Sequence, residues 1–252
     1  MEQTTTSSIR VTGLLGLVAL LIPMSAPAES LSVAVPDSPA GLAFARYIAS
    51  IQERDPFADS GPVGVEIDAS LPGLYKEARL LAVRETGESE RSEYRVLQIE
   101  GDAIVAQEVI ARYFLMQEQL EELPLSSITI APENYKFRYR GEVGTGSALA
   151  YVYQITPRKK RDGLIQGQIW IDSVTGAATL QAGRFVKTPP LLPGKIDFVR
   201  NTELLGENRC IRITHVTIET PRAGRGQLTI TEMPLTGPVE EPQRESLPLA
   251  RQ

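Results

Sequence analysis

The strongest constraint on the fold is a change in hydrophobic period after residue 125. From Ser126 onward apolar and polar residues alternate, as in the run from Tyr135 to Arg140, and this period of two is typical of strands with one buried face. Turns that contain Gly or Pro separate these stretches at the spacing of hairpins. We therefore predict about seven consecutive antiparallel strands, at residues 135–140, 149–156, 165–172, 177–186, 195–204, 209–219 and 225–233.

The first half of the chain has a different pattern, with two predicted helices around three predicted strands. Ser38-Pro39 is typical of a helix start, with an N-cap followed by proline, and apolar residues at helical spacing continue towards Asp55-Pro56. Asp102 is expected to cap a longer amphipathic helix, which ends at about Glu122 before Pro124. The predicted strands are residues 63–69, 78–86 and 93–100, the last two forming a hairpin.

These elements predict an α+β chain that is mostly β. We expect one strongly curved antiparallel sheet, an unclosed half-barrel, with helices covering its concave face, and we prefer it to a sandwich. No repeat of fixed period is evident, so residues 38–233 are interpreted as one domain after a short segment at 29–37. Residues 234–252 are rich in Pro, Glu, Arg and Gln, and we expect this tail to be disordered.

The first 28 residues are predicted to be a cleaved secretory signal. Arg10 precedes an apolar run from Val11 to Ile22, and Ala26 and Ala28 supply the small residues that a signal peptidase reads. The run has about a dozen residues, whereas a membrane span needs roughly 20. We therefore expect cleavage after Ala28, a periplasmic mature protein and no stable membrane span.

Composition excludes several function classes. The chain has one cysteine, Cys210, and one histidine, His215, so an intramolecular disulfide and metal or acid–base sites built on several His or Cys residues are impossible. The formal net charge of −5 argues against nucleic acid as a partner, because phosphate binding needs a basic surface. We predict no catalytic residue, no metal and no cofactor. Cys210 is interpreted as a buried small hydrophobic residue.

Four features with possible chemistry have simpler structural interpretations. The glycine-rich segment 141–147 lacks the lysine of a phosphate loop and joins two strands, so we interpret it as a hairpin loop. The basic run 158–161 is interpreted as a solvated turn, with docking to anionic lipid headgroups as the minority alternative. His215 is interpreted as a strand residue satisfied by a hydrogen bond. A carboxylate pair for hydrolysis is not indicated by any spacing, and stays open as a weaker alternative.

Three motifs carry a resemblance to a known family. They are YVYQITPRKK at residues 151–160, GLIQGQIWID at 163–172 and GRFVKTP at 183–189, with EVIARY at 108–113 and IDFVR at 196–200 in support. Together they resemble the outer-membrane lipoprotein-sorting superfamily, the LolA/LolB-like group, and more closely its uncharacterised secreted members from acidobacteria and related bacteria. The resemblance covers roughly residues 90–232. It implies an unclosed antiparallel barrel whose helices enclose an apolar cavity, which in carrier members shields the acyl chains of lipoproteins.

From this resemblance we expect a non-enzymatic protein that binds a lipid or an acylated protein between the curved sheet and a helical lid. Plain core packing is the alternative explanation for the aromatic side chains in the second half. An envelope protein-interaction or stress-sensing regulatory module of the same fold, without a small ligand, is the alternative function. The expected cavity residues are Tyr135, Phe137, Tyr139, Tyr151, Tyr153, Ile169, Ile171, Phe185, Phe198 and Ile213, and those of the lid helix are Val105, Val109, Tyr113 and Met116.

Overall fold

The computed structural model describes residues 37–51, 57, 61–87, 91–187, 194–204, 210–220 and 222–235. The predicted signal segment, the segment before residue 37 and the tail after residue 235 lie outside the described residues. In the described part of the chain, no helix is both long and apolar enough to cross a membrane.

Ten strands form one antiparallel sheet in the order β3-β2-β1-β10-β9-β8-β7-β6-β5-β4. Because β3 and β4 are the two edges, the sheet does not close into a barrel, as expected. Every pairing in this sheet joins strands that are consecutive in sequence, except the pairing of β1 with β10. The strands are β1 (Val63–Leu71), β2 (Lys76–Thr86), β3 (Ser92–Gly101), β4 (Tyr135–Val143), β5 (Ala150–Pro157), β6 (Ile165–Asp172), β7 (Ala178–Phe185), β8 (Ile196–Leu204), β9 (Cys210–Thr220) and β10 (Gly224–Pro234).

Helices cover one face of this sheet, which we call the inner face. Helix α1 (Pro39–Ser50) begins as predicted, since the Ser38 hydroxyl accepts a hydrogen bond from the Gly41 N–H at 3.1 Å. The Asp102 carboxylate likewise accepts from the Ile104 N–H at 2.8 Å and starts the long helical segment of residues 103–121. That segment consists of α2 (Ala103–Val105), a π-helical turn (Ala106–Ile110) and α3 (Ala111–Glu121), and a short α4 (Leu125–Ile128) follows it.

The π-helical turn departs from the uninterrupted helix that the sequence predicts. The turn buries Val109 and Ile110 against the sheet. The Val109 side chain comes so close to β10 that a Cβ at Gly226 would lie 2.9 Å from Val109 Cγ2. A glycine at this position lets the helical segment lie directly on the strand, and the wider turn accommodates the side chains that make the contact.

Most of the other predicted features lie where the sequence places them. Of the predicted loop at residues 141–147, residues 141–143 instead extend β4 and residues 144–147 form part of the β4–β5 connection, whereas residues 158–161 lie in the turn between β5 and β6. His215 lies 3.0 Å from the Thr229 hydroxyl through Nδ1 and is exposed. Cys210 is buried, as expected for a small hydrophobic residue.

Candidate functional site

The inner face has two separate apolar clusters, one under each helical cover. Helix α1 lies on β4–β6, where Ala40, Ala43 and Tyr47 pack against the strands. The long helical segment lies over β1, β2, β9 and β10. Strands β7 and β8 occupy the space between the two covers. Their inward side chains Phe185 and Phe198 are only partly buried, and each packs against both clusters.

The predicted cavity residues divide between these places. Most of those on β4–β6 are buried under α1, and the four predicted lid residues belong to the long helical segment and are buried between it and the sheet. Tyr139, Phe185 and Phe198 are partly buried at the margins of the clusters. The buried members are Tyr135, Phe137, Tyr151, Tyr153, Ile169 and Ile171 in the first cluster and Val105, Val109, Tyr113 and Met116 in the second.

Ile213 lies on the opposite face of the sheet. Along β9 the buried positions are the even-numbered residues, among them Arg212, Thr214 and Val216, and Ile213 lies between them. Alternation by hydrophobicity alone suggested the reverse, with isoleucines inward and arginine outward. The inner face accepts Arg212 because a carboxylate and an aromatic ring surround it there, so Ile213 is not part of the candidate site.

Helix α1 is held against β4–β6 and the neighbouring loops by hydrogen bonds as well as by apolar packing. The Tyr153 hydroxyl donates to the Ala40 carbonyl at 2.8 Å, and the Tyr47 hydroxyl donates to the Ile130 carbonyl at 2.8 Å. The Arg46 guanidinium donates to the Ser173 carbonyl at 3.2 Å. These contacts join α1 to β5, to the segment before β4 and to the turn after β6, and we infer that α1 is the rigid cover. In the long segment, buried residues are concentrated before Ala111, and α3 adds only Tyr113 and Met116.

A row of inward residues crosses the middle of the sheet, and it contains a pair of glycines. The strand register aligns Phe137, Ile155, Gly167, Gly183, Phe198, Val216 and Leu228 across β4–β10. Gly167 and Gly183 face each other where the row passes from β6 to β7. A Cβ at Gly167 would lie 2.0 Å from the Ala182 carbonyl oxygen, so only glycine fits. The pair interrupts the apolar row between Ile155 and Phe198, with no side chain to fill that position.

The next two rows of inward residues have polar side chains on the central strands of the sheet. One row aligns Gln181, Arg200 and Thr214 between Ile169 and Ile230. The next aligns Thr202, Arg212 and Glu232. The sequence pattern does not reveal these polar residues as inward, because in β9 and β10 they lie among isoleucines and threonines and resemble an outward face.

Glu232 joins two arginines on the inner face. Its carboxylate lies 3.4 Å from Arg84 and 3.7 Å from Arg212, and its side chain is 9% exposed. The ring of Phe57 covers both guanidinium groups, at 4.4 Å from Arg212 Cζ and 5.8 Å from Arg84 Cζ. Buried charges of this kind are stable only when they are paired, and the aromatic ring adds a cation–π contact.

Two tyrosines lie beside this charged cluster. Burial raises the pKa of Tyr94 to about 12, and the nearby Arg84 opposes that increase. Burial also raises the pKa of Tyr113, which lies on α3. The Tyr94 ring packs edge-on against Phe114, 4.9 Å away between centroids, so this contact ties the edge strand β3 to α3. Both hydroxyl groups are therefore neutral at any physiological pH.

These raised pKa values predict a loss of stability at alkaline pH. The unfolded tyrosine ionises at about pH 10, whereas Tyr94 keeps its proton in the folded protein up to a pKa of about 12. The contribution of Tyr94 is therefore complete below pH 10 and declines as the pH rises towards 12. Urea unfolding between pH 9 and about 12 should show this decline, and Tyr94→Phe should reduce it. Tyr75→Phe, which removes a hydroxyl from a residue that is 96% exposed, is the control and should leave the decline as it is. An equal decline in the Tyr94 and Tyr75 variants would contradict the assignment.

Comparisons with known proteins identify similarity to solved structures. No family model matches the chain, and no curated protein matches it significantly. Among solved structures, it is similar to a crystal structure of a LolA superfamily protein from Nitrosomonas europaea. The two sequences are 14% identical, the TM-score is 0.32, and the match covers 76% of this chain and 94% of the other. The described residues of this chain form one unclosed antiparallel sheet with helices over its inner face.

Proposed function

We propose that this chain is a non-enzymatic carrier or binding protein that holds the acyl chain of a lipid or an acylated protein. The acyl chain lies on the inner face between the two helical covers, above the Gly167–Gly183 pair. We further propose that the chain acts in the bacterial periplasm, after cleavage of the predicted signal segment behind Ala28.

The observation that carries this proposal is the arrangement of β7 and β8 between the covers. At this position the inner face has two partly buried aromatic side chains, Phe185 and Phe198. Their rings are in contact, with centroids 5.8 Å apart. Next to them is a glycine pair that contributes no side chain. An acyl chain placed there would remove apolar surface of both partners from water, at a gain of about 0.8 kcal/mol per CH2 group.

The covers have complementary properties for such a ligand. Helix α1 is held to the sheet by hydrogen bonds and forms a fixed wall. Helix α3 contributes fewer buried side chains and contacts the edge strand through the ring pair of Tyr94 and Phe114. We infer that α3 is the part that moves when a ligand enters or leaves, because elements with few buried contacts open at the lowest cost.

The proposal is tested by two adjacent substitutions on β8. Phe198→Asn removes an inward aromatic side chain, whereas Val199→Asn changes a residue that is 41% exposed and lies on the other face. Protein purified without detergent from a bacterial periplasm is extracted for lipid mass spectrometry and titrated with the fluorescent apolar probe N-phenylnaphthylamine. We expect Phe198→Asn to weaken probe binding by about tenfold or more, from the lost apolar contact, and Val199→Asn to bind as the wild type does.

Thermal unfolding of both variants establishes that they are folded. If the wild-type protein carried no lipid and bound no probe, the proposal would be wrong. The alternative of an envelope interaction or regulatory module would then be favoured. Its first candidate surface is the edge strand β3, where Val96 and Ile99 are each 52% exposed.

A further inference from the structure

The apolar row and the polar rows of the inner face are adjacent. The proposed site therefore has an apolar end, at the row of Phe198, and a polar, positively charged end, at the row of Arg200. Phe198 and Arg200 are two positions apart on β8 and point to the same face. The Arg200 Cζ atom lies 6.0 Å from the centre of the Phe198 ring. Successive inward residues on a strand are separated by about 7 Å. A chain lying over Gly183 and Phe198 would therefore have its end beside a guanidinium group.

A second arginine lies next to Arg200 on the neighbouring strand. Arg200 pairs with Thr214 and Arg212 pairs with Thr202, so the two arginines are diagonal neighbours on β8 and β9. Arg200 Nε donates to the Thr214 hydroxyl at 3.3 Å, which orients its side chain across the sheet. Arg212 is 8% exposed and is shared with Glu232. Both arginines also have contacts within the protein beyond these.

Guanidinium groups are suited to one class of head group. Their planar N–H donors match the two oxygens of a carboxylate, and the bonds are charge-assisted. Diagonal neighbours on a sheet are about 7–8 Å apart, within reach of one anion held by two long side chains. A site that is partly shielded from solvent strengthens these charge-assisted hydrogen bonds, because the effective dielectric constant is lower than in water. The flanking Gln181 and Thr202 add neutral hydrogen-bonding groups in the same two rows.

We propose that the ligand of the inner face is a free long-chain fatty acid in its anionic form, with its carboxylate bound by Arg200 and Arg212 and its chain above the Gly167–Gly183 pair. This inference rests on the proposed function and specifies its ligand. It distinguishes this chain from a carrier whose inner face binds neutral acyl chains only. The carboxylate joins the existing contacts of the two arginines, and Glu232 keeps Arg212 in position.

The test compares two ligands with the same chain and different head groups. Oleate and oleyl alcohol each compete with N-phenylnaphthylamine for the purified full-length protein. We expect the wild type to prefer oleate by about tenfold or more, the effect of a hydrogen bond to a charged group. Arg200→Gln should abolish this preference by weakening oleate binding about tenfold or more, and thermal unfolding shows that the variant is folded. Arg95→Gln, an exposed arginine on β3, is the matched control and should keep the preference.

The possible outcomes separate this inference from the function it rests on. Equal affinity of the wild type for oleate and oleyl alcohol would overturn the head-group assignment and leave acyl-chain binding intact. A preference for oleate that survives in Arg200→Gln would overturn the assignment to Arg200. If neither ligand displaced the probe, or no probe bound at all, both the inference and the proposed function would be wrong. Arg200→Lys should retain part of the preference, because it keeps the charge and loses the planar fork.

Discussion

Gly167→Ala should lower the free energy of unfolding by about 3 kcal/mol, the upper end of the range for overpacked positions. The new Cβ would lie 2.0 Å from the Ala182 carbonyl oxygen and 2.6 Å from Gly183 Cα. All of these neighbours are backbone atoms, so no side-chain rotation can relieve the contact. Strands β6 and β7 would have to separate at the middle of the sheet, with loss of ladder hydrogen bonds. Urea unfolding followed by the fluorescence of Trp170, the single tryptophan of the chain, measures the effect on β6 itself.

Two other glycines provide a graded control. A Cβ at Gly183 would lie 2.8 Å from the Gln166 carbonyl oxygen, so Gly183→Ala should cost less than Gly167→Ala. Gly73 is an exposed turn residue with nothing within 4 Å of an added Cβ, and Gly73→Ala should leave the unfolding midpoint almost unchanged. Equal stability of the Gly167 and Gly73 variants would show that the close approach of β6 and β7 is wrong.

Glu232→Ala should be similarly damaging, with a loss of about 3–5 kcal/mol in the free energy of unfolding. The substitution leaves Arg84 and Arg212 facing each other under Phe57 without the carboxylate that lies between them. Each guanidinium group then loses a charged partner, while most of the cost of its desolvation remains. Thermal or urea unfolding at neutral pH measures the loss.

An exposed ion pair and a double substitution control for this result. Arg184 and Asp197 pair at 2.7 Å on the surface, and Asp197→Ala should cost at most about 1 kcal/mol. The double variant Arg212→Met with Glu232→Leu removes the more buried pair and leaves Arg84, whose side chain is 18% exposed, so it should recover part of the stability that Glu232→Ala loses. If the double variant were no more stable than Glu232→Ala, the loss would come from packing and not from an uncompensated charge.

Much of the fold could be predicted because local signals and tertiary structure agree. The Ser38 and Asp102 caps start helices as expected, and alternation places all ten strands. Alternation cannot indicate which strands pair when they are far apart in sequence, so the β1–β10 contact was not predictable. The π-helical turn at Ala106–Ile110 was missed for a similar reason. It reflects the packing of Val109 against Gly226, which depends on a strand more than a hundred residues away.

The candidate site was only partly predictable, because its unusual residues break the hydrophobic pattern. The aromatic residues of β4 and β5 lie inward as alternation indicates. In β9, however, Arg212 and Thr214 lie inward and Ile213 outward, since the partners that stabilise Arg212 come from β10 and from Phe57. Gly167 and Gly183 were included in the predicted strands, but a sequence does not show that two glycines will face each other.

The single pairing between distant strands also determines the order in which this sheet can be completed during synthesis. Strand β1 gains its second neighbour only when β10 has been made, because Val63 pairs with Pro234. Chains are synthesised from the N-terminus at about 5–20 residues per second, so the β1 edge waits many seconds for its partner. Throughout that interval we expect the backbone N–H and C=O groups on one side of β1 to lack a partner strand. This makes β1 the segment most in need of a chaperone before the sheet is complete.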